Sequence, residues 1–115
     1  MTVEWVVDRR DGMVFGDVTD LPGAAASMAM LRLGAYRIEL FKYLSPDSDR
    51  APQRQCDQGY THIAFEVSDV DAVHARLLEA GYRTTTAPAS LRAGYSKLVY
   101  AYAPENAVIE FIQFL

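Results

Sequence analysis

The sequence predicts an α+β fold in which strands dominate. Polar and apolar side chains alternate along Tyr60–Val67 and Ala107–Phe114, the period of half-buried strands. Only the stretch after Ser68 repeats apolar residues at helical spacing, through Val70, Val73, Leu77 and Ala80. Length and composition agree with one small folded unit. The chain has 115 residues, of which 50% are hydrophobic and 23% charged, a balance that excludes a disordered chain. A chain of this size buries roughly 65% of the surface its unfolded form exposes.

Val3 to Asp8, β-branched and aromatic, is expected to form the first strand, ending at Asp8-Arg-Arg-Asp-Gly12. Met13 to Ala24, with Gly16, Asp20 and Leu21-Pro-Gly23, is expected to be a loop with a short extended piece rather than a helix. Ala26–Leu33 and Tyr36–Leu44 then make a tight hairpin about Gly34-Ala35. Residues 45–59, rich in proline, aspartate and glutamine, read as an exposed linker. After the strand Tyr60–Val67, Ser68 and Asp69 can accept the free N–H groups of a helix start, and Gly81 can close the helix in the left-handed conformation. Tyr82–Ala87, rich in threonine, is expected to be a strand. Lys97–Ala103 and Ala107–Leu115 form a last hairpin about Pro104-Glu-Asn106, where proline presets the turn and asparagine tolerates positive φ.

Alternation assigns the faces. Ile63, Phe65 and Val67 share one side with Ile109 and Phe111, toward the helix, leaving His62, Ala64, Glu66, Val108, Glu110 and Ile112 on the other. In the first hairpin Ile38 and Leu40 face one way, and Arg37, Glu39 and Phe41 the other. One imidazole and two carboxylates at His62, Glu39 and Glu110 make a ligand set for a catalytic divalent ion. Glu110, inside Val-Ile-Glu-Phe-Ile, would be costly as an ionised group without a counter-charge or metal. His74 is read as a surface histidine, Glu66 as structural and Cys56 as a loop thiol. Trp5, Met28, Met30 and Phe41 are read as core side chains that could also line a ligand cavity.

Bulk properties narrow the partners. A net charge of -4 offers no attraction to nucleic acid. No apolar run is long enough to span a membrane and no secretion signal opens the chain, so a cytoplasmic location is expected. The lone Cys56 cannot form an intrachain disulfide.

His62-Ile-Ala-Phe-Glu-Val67, Asp69-Val-Asp-Ala-Val-His-Ala-Arg-Leu77 and Tyr100-Ala-Tyr-Ala-Pro-Glu-Asn-Ala-Val-Ile-Glu-Phe111 resemble the vicinal oxygen chelate superfamily. That superfamily holds glyoxalase I, methylmalonyl-CoA epimerase, extradiol dioxygenases and the bleomycin and fosfomycin resistance proteins. The resemblance implies paired βαβββ modules whose curved, mixed sheets enclose a divalent metal, each module giving a ligand from its first strand and one from its last. Residues 60–115 resemble a complete module. Residues 1–44 resemble one that lacks its opening strand and helix, and with them the fourth ligand, an N-terminally shortened form within a single domain. By this resemblance Glu39 is the last-strand ligand of the first module, and His62 and Glu110 are the first- and last-strand ligands of the second. The glutamate at position 39 is similar to lactoylglutathione lyase rather than to the epimerases.

The resemblance implies a glyoxalase-like, metal-dependent lyase or isomerase that handles a small oxygenated substrate through an enediolate. Ni, Zn or Mn would be the ion, with Glu110 and Glu39 moving the proton. The alternative is a non-catalytic protein of the same fold that binds a small molecule, as the antibiotic-sequestering members do. A homodimer or higher homo-oligomer is expected, because the shortened module leaves a sheet edge unpaired and uncovers Ile38 and Leu40.

Overall fold

The computed structural model describes residues 1–48 and 54–115. The chain divides into two compact units, Met1–Arg50 and Ala51–Leu115, and its fold is mixed α+β with two curved sheets in which strands dominate.

In the first unit β1 (Thr2–Arg10), α1 (Met13–Thr19), β2 (Ala25–Leu33) and β3 (Tyr36–Ser45) follow in order, and the strands form an antiparallel sheet ordered β1-β2-β3. The hairpin closes across Leu33↔Tyr36 with Gly34 at φ 59, as its two-residue loop demands. A bulge between Val3 and Trp5 sorts β1 onto two faces. Because directly paired residues share a face, Trp5, Met30 and Glu39 lie together with Val7, Met28 and Phe41. Val3, Val6, Ala29, Leu31, Ile38 and Leu40 occupy the opposite face, where Val6 keeps 60% and Leu40 51% of its surface exposed. Across the strands Glu4 accepts hydrogen bonds from Arg32 and from Arg37, the latter at 2.7 Å.

The segment expected to be a loop contains α1. Its seven residues include two valines and a glycine, and Gly12 provides no side-chain cap, so local signals for a helix are weak. Tertiary and turn contacts supply what propensity does not. Phe15 stacks on Phe41 with ring centroids 6.4 Å apart, Thr19 donates back to the Phe15 carbonyl at 2.8 Å, and Asp20 ends the helix in the left-handed conformation. Phe41 points to the Glu39 side, so α1 touches that face of the sheet and not the one carrying Ile38 and Leu40.

In the second unit β4 (His62–Glu66), α2 (Val70–Glu79), β5 (Ala89–Leu91), β6 (Ser96–Tyr102) and β7 (Val108–Phe114) build a sheet ordered β4-β7-β6-β5. β4 runs parallel to β7 and the remaining pairs are antiparallel. Asp69 caps α2 by accepting from Ala72 N–H at 2.9 Å. Gly81, at φ 82, closes it with bonds from Gly81 N–H to Leu78 and from Tyr82 N–H to Leu77, a Schellman ending. α2 packs on β6 and β7. Val70 at 0% and Val99 at 1% exposure form the centre of the layer between them, joined by Ala101. Each fully buried aliphatic side chain of this kind contributes about 1.5–3 kcal/mol.

The strand expected over Tyr82–Ala87 is not formed. That stretch makes one isolated bridge, Thr84↔Ala101, with Thr85 N–H donating to Tyr100 and Tyr102 N–H to Arg83. Regular pairing with β6 begins only after Pro88, at Ala89↔Leu98. Threonine-rich composition favours an extended chain, but a proline beside a ladder removes a donor and shifts the pairing onward. Among the described residues no helix is long and apolar enough to cross a membrane.

Candidate functional site

The alternation of the second sheet puts two of the three anticipated ligands side by side. In the parallel register His62 lies opposite Val108 and Ala64 opposite Glu110, so His62 and Glu110 are diagonal neighbours on the face away from α2. His62 Nε2 is 3.2 Å from Glu110 Oε2. Glu110 is buried, at 8% exposure, on the face of β7 turned away from α2.

Tyr100 and Gln55 complete the group. Tyr100 lies directly opposite Glu110 across the β6–β7 hairpin, bonds its carboxylate through the phenol, and stands edge-on to the His62 ring at 5.2 Å and 84°. Burial, together with the adjacent Glu110 charge and the bond to it, holds the phenol above its ordinary range, so the hydroxyl stays a donor. On the far side of the imidazole, Nδ1 is 3.0 Å from Gln55 Oε1 and 3.1 Å from Thr61 Oγ1.

Glu39, the third anticipated ligand, belongs to the first unit. It is exposed on β3, opposite Met30 and on the same face as Trp5, Met28 and Phe41. Trp5 and Phe41 are therefore partly open on the Glu39 side rather than enclosed. Within neither unit do the described residues gather three His, Cys, Asp or Glu side chains at one place. Three other titratable residues singled out in the sequence lie apart from this group, and His74, read as a surface histidine, is half-buried. His74 Nε2 bonds Thr84 Oγ1 at 3.1 Å, Glu66 is exposed, and Cys56 is an exposed free thiol.

The His62–Glu110 pair fits a divalent cation on its chemistry. Two ligands each about 2.1 Å from a common ion stand roughly 3.0–3.4 Å apart, which brackets the 3.2 Å between Nε2 and Oε2. An imidazole whose other nitrogen has a hydrogen-bond acceptor is the usual form of a histidine ligand.

Tyr100 and Gln55 were not among the residues expected from the sequence. Tyr100 was legible in principle: in a hairpin turning about Glu105, positions 100 and 110 are equidistant from the turn and must pair. Gln55 had no such signal, because it reaches His62 from an irregular segment whose path no periodicity specifies.

Comparison with known proteins agrees with this architecture. The chain is 37% identical over 94 residues to a 2-epi-5-epi-valiolone epimerase from an Actinomyces species, a match that covers 77% of this chain and 51% of the relative, so the chain spans about half that protein's length. A crystal structure of a glyoxalase family protein from Bacillus cereus superposes with a TM-score of 0.83 at 25% identity, covering 98% of this chain and 77% of the other. A glyoxalase family protein from Enterococcus faecalis shares the fold with a TM-score of 0.65 at 20% identity, covering 93% of this chain and 75% of the other. The family model described as Glyoxalase/Bleomycin resistance protein/Dioxygenase superfamily matches residues 3–102, reaching from β1 to the end of β6. The chain belongs to that superfamily, the vicinal oxygen chelate proteins.

Proposed function

We propose that this chain is a metal-dependent isomerase or lyase of the glyoxalase type, acting on a small oxygenated substrate. The observation that carries the reading is Glu110, a buried carboxylate held 3.2 Å from an imidazole nitrogen on the sheet face that α2 leaves free. Membership of a superfamily that typically binds a divalent metal supports it, as does a relative named for an epimerase activity.

His62 Nε2 and a Glu110 oxygen would hold the ion, and Ni, Zn and Mn all suit such a nitrogen and oxygen set. When bound, the ion would polarise a substrate carbonyl and favour the enediolate. Released from the ion, Glu110 would take the proton from the carbon beside that carbonyl and return it to the former carbonyl carbon, while the hydroxyl proton passes to the former carbonyl oxygen, so that no atom is gained or lost. Tyr100, donating to Glu110, orients the carboxylate for the transfer.

The test is proton exchange. A panel of small α-hydroxy carbonyl compounds is incubated with the chain in D2O with each ion in turn, and loss of the C–H signal is followed by NMR. Exchange that disappears in Glu110→Gln is the expected result. Undiminished exchange in that variant contradicts the assignment. A chain that exchanges nothing with any ion, yet retains an apolar molecule through dialysis, is a sequestering binder instead.

A further inference from the structure

A histidine that gives Nε2 to a cation needs a proton on Nδ1, and that proton needs a place to go. Two oxygens approach His62 Nδ1, and they differ in kind. Thr61 Oγ1, at 3.1 Å, can either give or take a hydrogen bond. Gln55 Oε1, at 3.0 Å, can only take one. On the opposite edge of the ring, Nε2 faces the Glu110 carboxylate, which is also an acceptor. With an acceptor on each side, a ring that donates Nδ1–H to Gln55 presents its Nε2 lone pair beside a carboxylate, an arrangement that a cation between them satisfies.

Gln55 is itself held in place. Its neighbour Arg54 and Asp57 close a turn in which Arg54 N–H donates to Asp57 Oδ2 at 2.8 Å, Arg54 Nη2 donates to Asp57 Oδ1 at 2.7 Å, and Asp57 N–H donates to the Arg54 carbonyl at 3.0 Å. Hydrogen bonds from the Arg54 side chain and backbone N–H hold the Asp57 carboxyl below its ordinary range. The turn fixes the backbone on either side of Gln55, so that its amide meets the ring across seven positions of sequence.

We propose that Gln55 is a positioning residue of this site: its side-chain carbonyl takes the hydrogen of His62 Nδ1 and so reserves Nε2, beside Glu110, for a cation. The inference rests on the reading that His62 and Glu110 hold a metal ion, and it names the residue that prepares His62 for that role.

Nitrogen-15 shifts of the His62 ring, recorded on the metal-free chain at about pH 8, where an ordinary imidazole is neutral, show which nitrogen carries hydrogen. The expected result is a protonated Nδ1 in the wild type and in Thr61→Val. In Gln55→Ala the hydrogen should move to Nε2, where Glu110 can accept it, and Gln55→Glu, which keeps an acceptor at the same reach, should restore it to Nδ1. An unprotonated Nδ1 in the wild type overturns the inference, as does a Gln55→Ala ring identical to the wild type. Backbone amide spectra verify that each variant is folded, and Gln55→Asn serves as a second shortened side chain should the alanine variant unfold. Zinc titration adds an independent arm: Gln55→Ala should bind roughly 10- to 100-fold more weakly, as loss of an outer partner does, with Gln55→Glu recovering most of the loss. If the wild type takes up no zinc, the metal reading fails while the ring shifts still decide the role of Gln55.

Discussion

The second sheet has a helix on its apolar face and a cluster of polar side chains on the other; the first sheet meets a helix only on its Glu39 side and leaves a second apolar face exposed. In the second unit α2 covers Val99 and Ala101, leaving His62, Tyr100 and Glu110 on the free side. In the first, α1 reaches the sheet through Phe15 on the Glu39 side, and Val3, Val6 and Leu40 remain exposed on the other. The same alternation of polar and apolar residues runs through both. What differs is whether a helix closes the apolar face, and that decides which sheet carries its own stability and which one offers a surface.

The largest consequence concerns assembly. An open apolar face on a sheet whose β3 edge has no neighbouring strand among the described residues should draw chains together. Light scattering over a dilution series should show a dimer or larger species at micromolar concentration, and Leu40→Lys should shift it to monomer. A wild-type monomer throughout the series would mean that this face needs no cover and would remove the contrast between the sheets.

A smaller effect separates the two layers energetically. Val99→Ala opens a cavity under α2 and should cost about 2–3 kcal/mol, whereas Val6→Ala in a monomeric background should stay within about 0.5 kcal/mol. Urea unfolding of both variants checks this, and equal losses would show that Val6 is covered as well as Val99.

The smallest effect is electrostatic and confined to the first sheet. The Arg37 guanidinium, with Arg32 beside it, holds the Glu4 carboxyl below its ordinary value. A carboxyl whose folded value is lowered contributes stability that is complete above its unfolded value and is lost as pH falls through the folded one. Stability should therefore decline as pH drops below about 4.5, and Glu4→Gln should flatten part of that decline. The pair is exposed to water, so the difference should be slight, and it should shrink further in salt.

Much of this comparison was legible in the chain because period-two alternation fixes which residues share a face. It places His62 with Glu110, and Glu39 with Phe41, from the sequence alone. The helix cap at Asp69, the Gly81 ending and both hairpin turns were also readable, since each depends on the local chemistry of one to three neighbouring residues. What escaped were features set by tertiary contact. α1 forms against weak propensity because Phe15 finds Phe41. The stretch Tyr82–Ala87 has strand-like composition but pairs at only one point. Gln55 reaches His62 through the Arg54–Asp57 turn, which no repeat in the sequence announces.

The central claim, that His62 and Glu110 hold a divalent ion, is tested most directly by elemental analysis of chain purified with Ni, Zn or Mn and then dialysed. The wild type should retain about one ion per chain, as a specific protein site does, and His62→Ala should retain almost none while keeping its fold by amide spectra. Equal metal content in the wild type and the folded His62→Ala variant would contradict it.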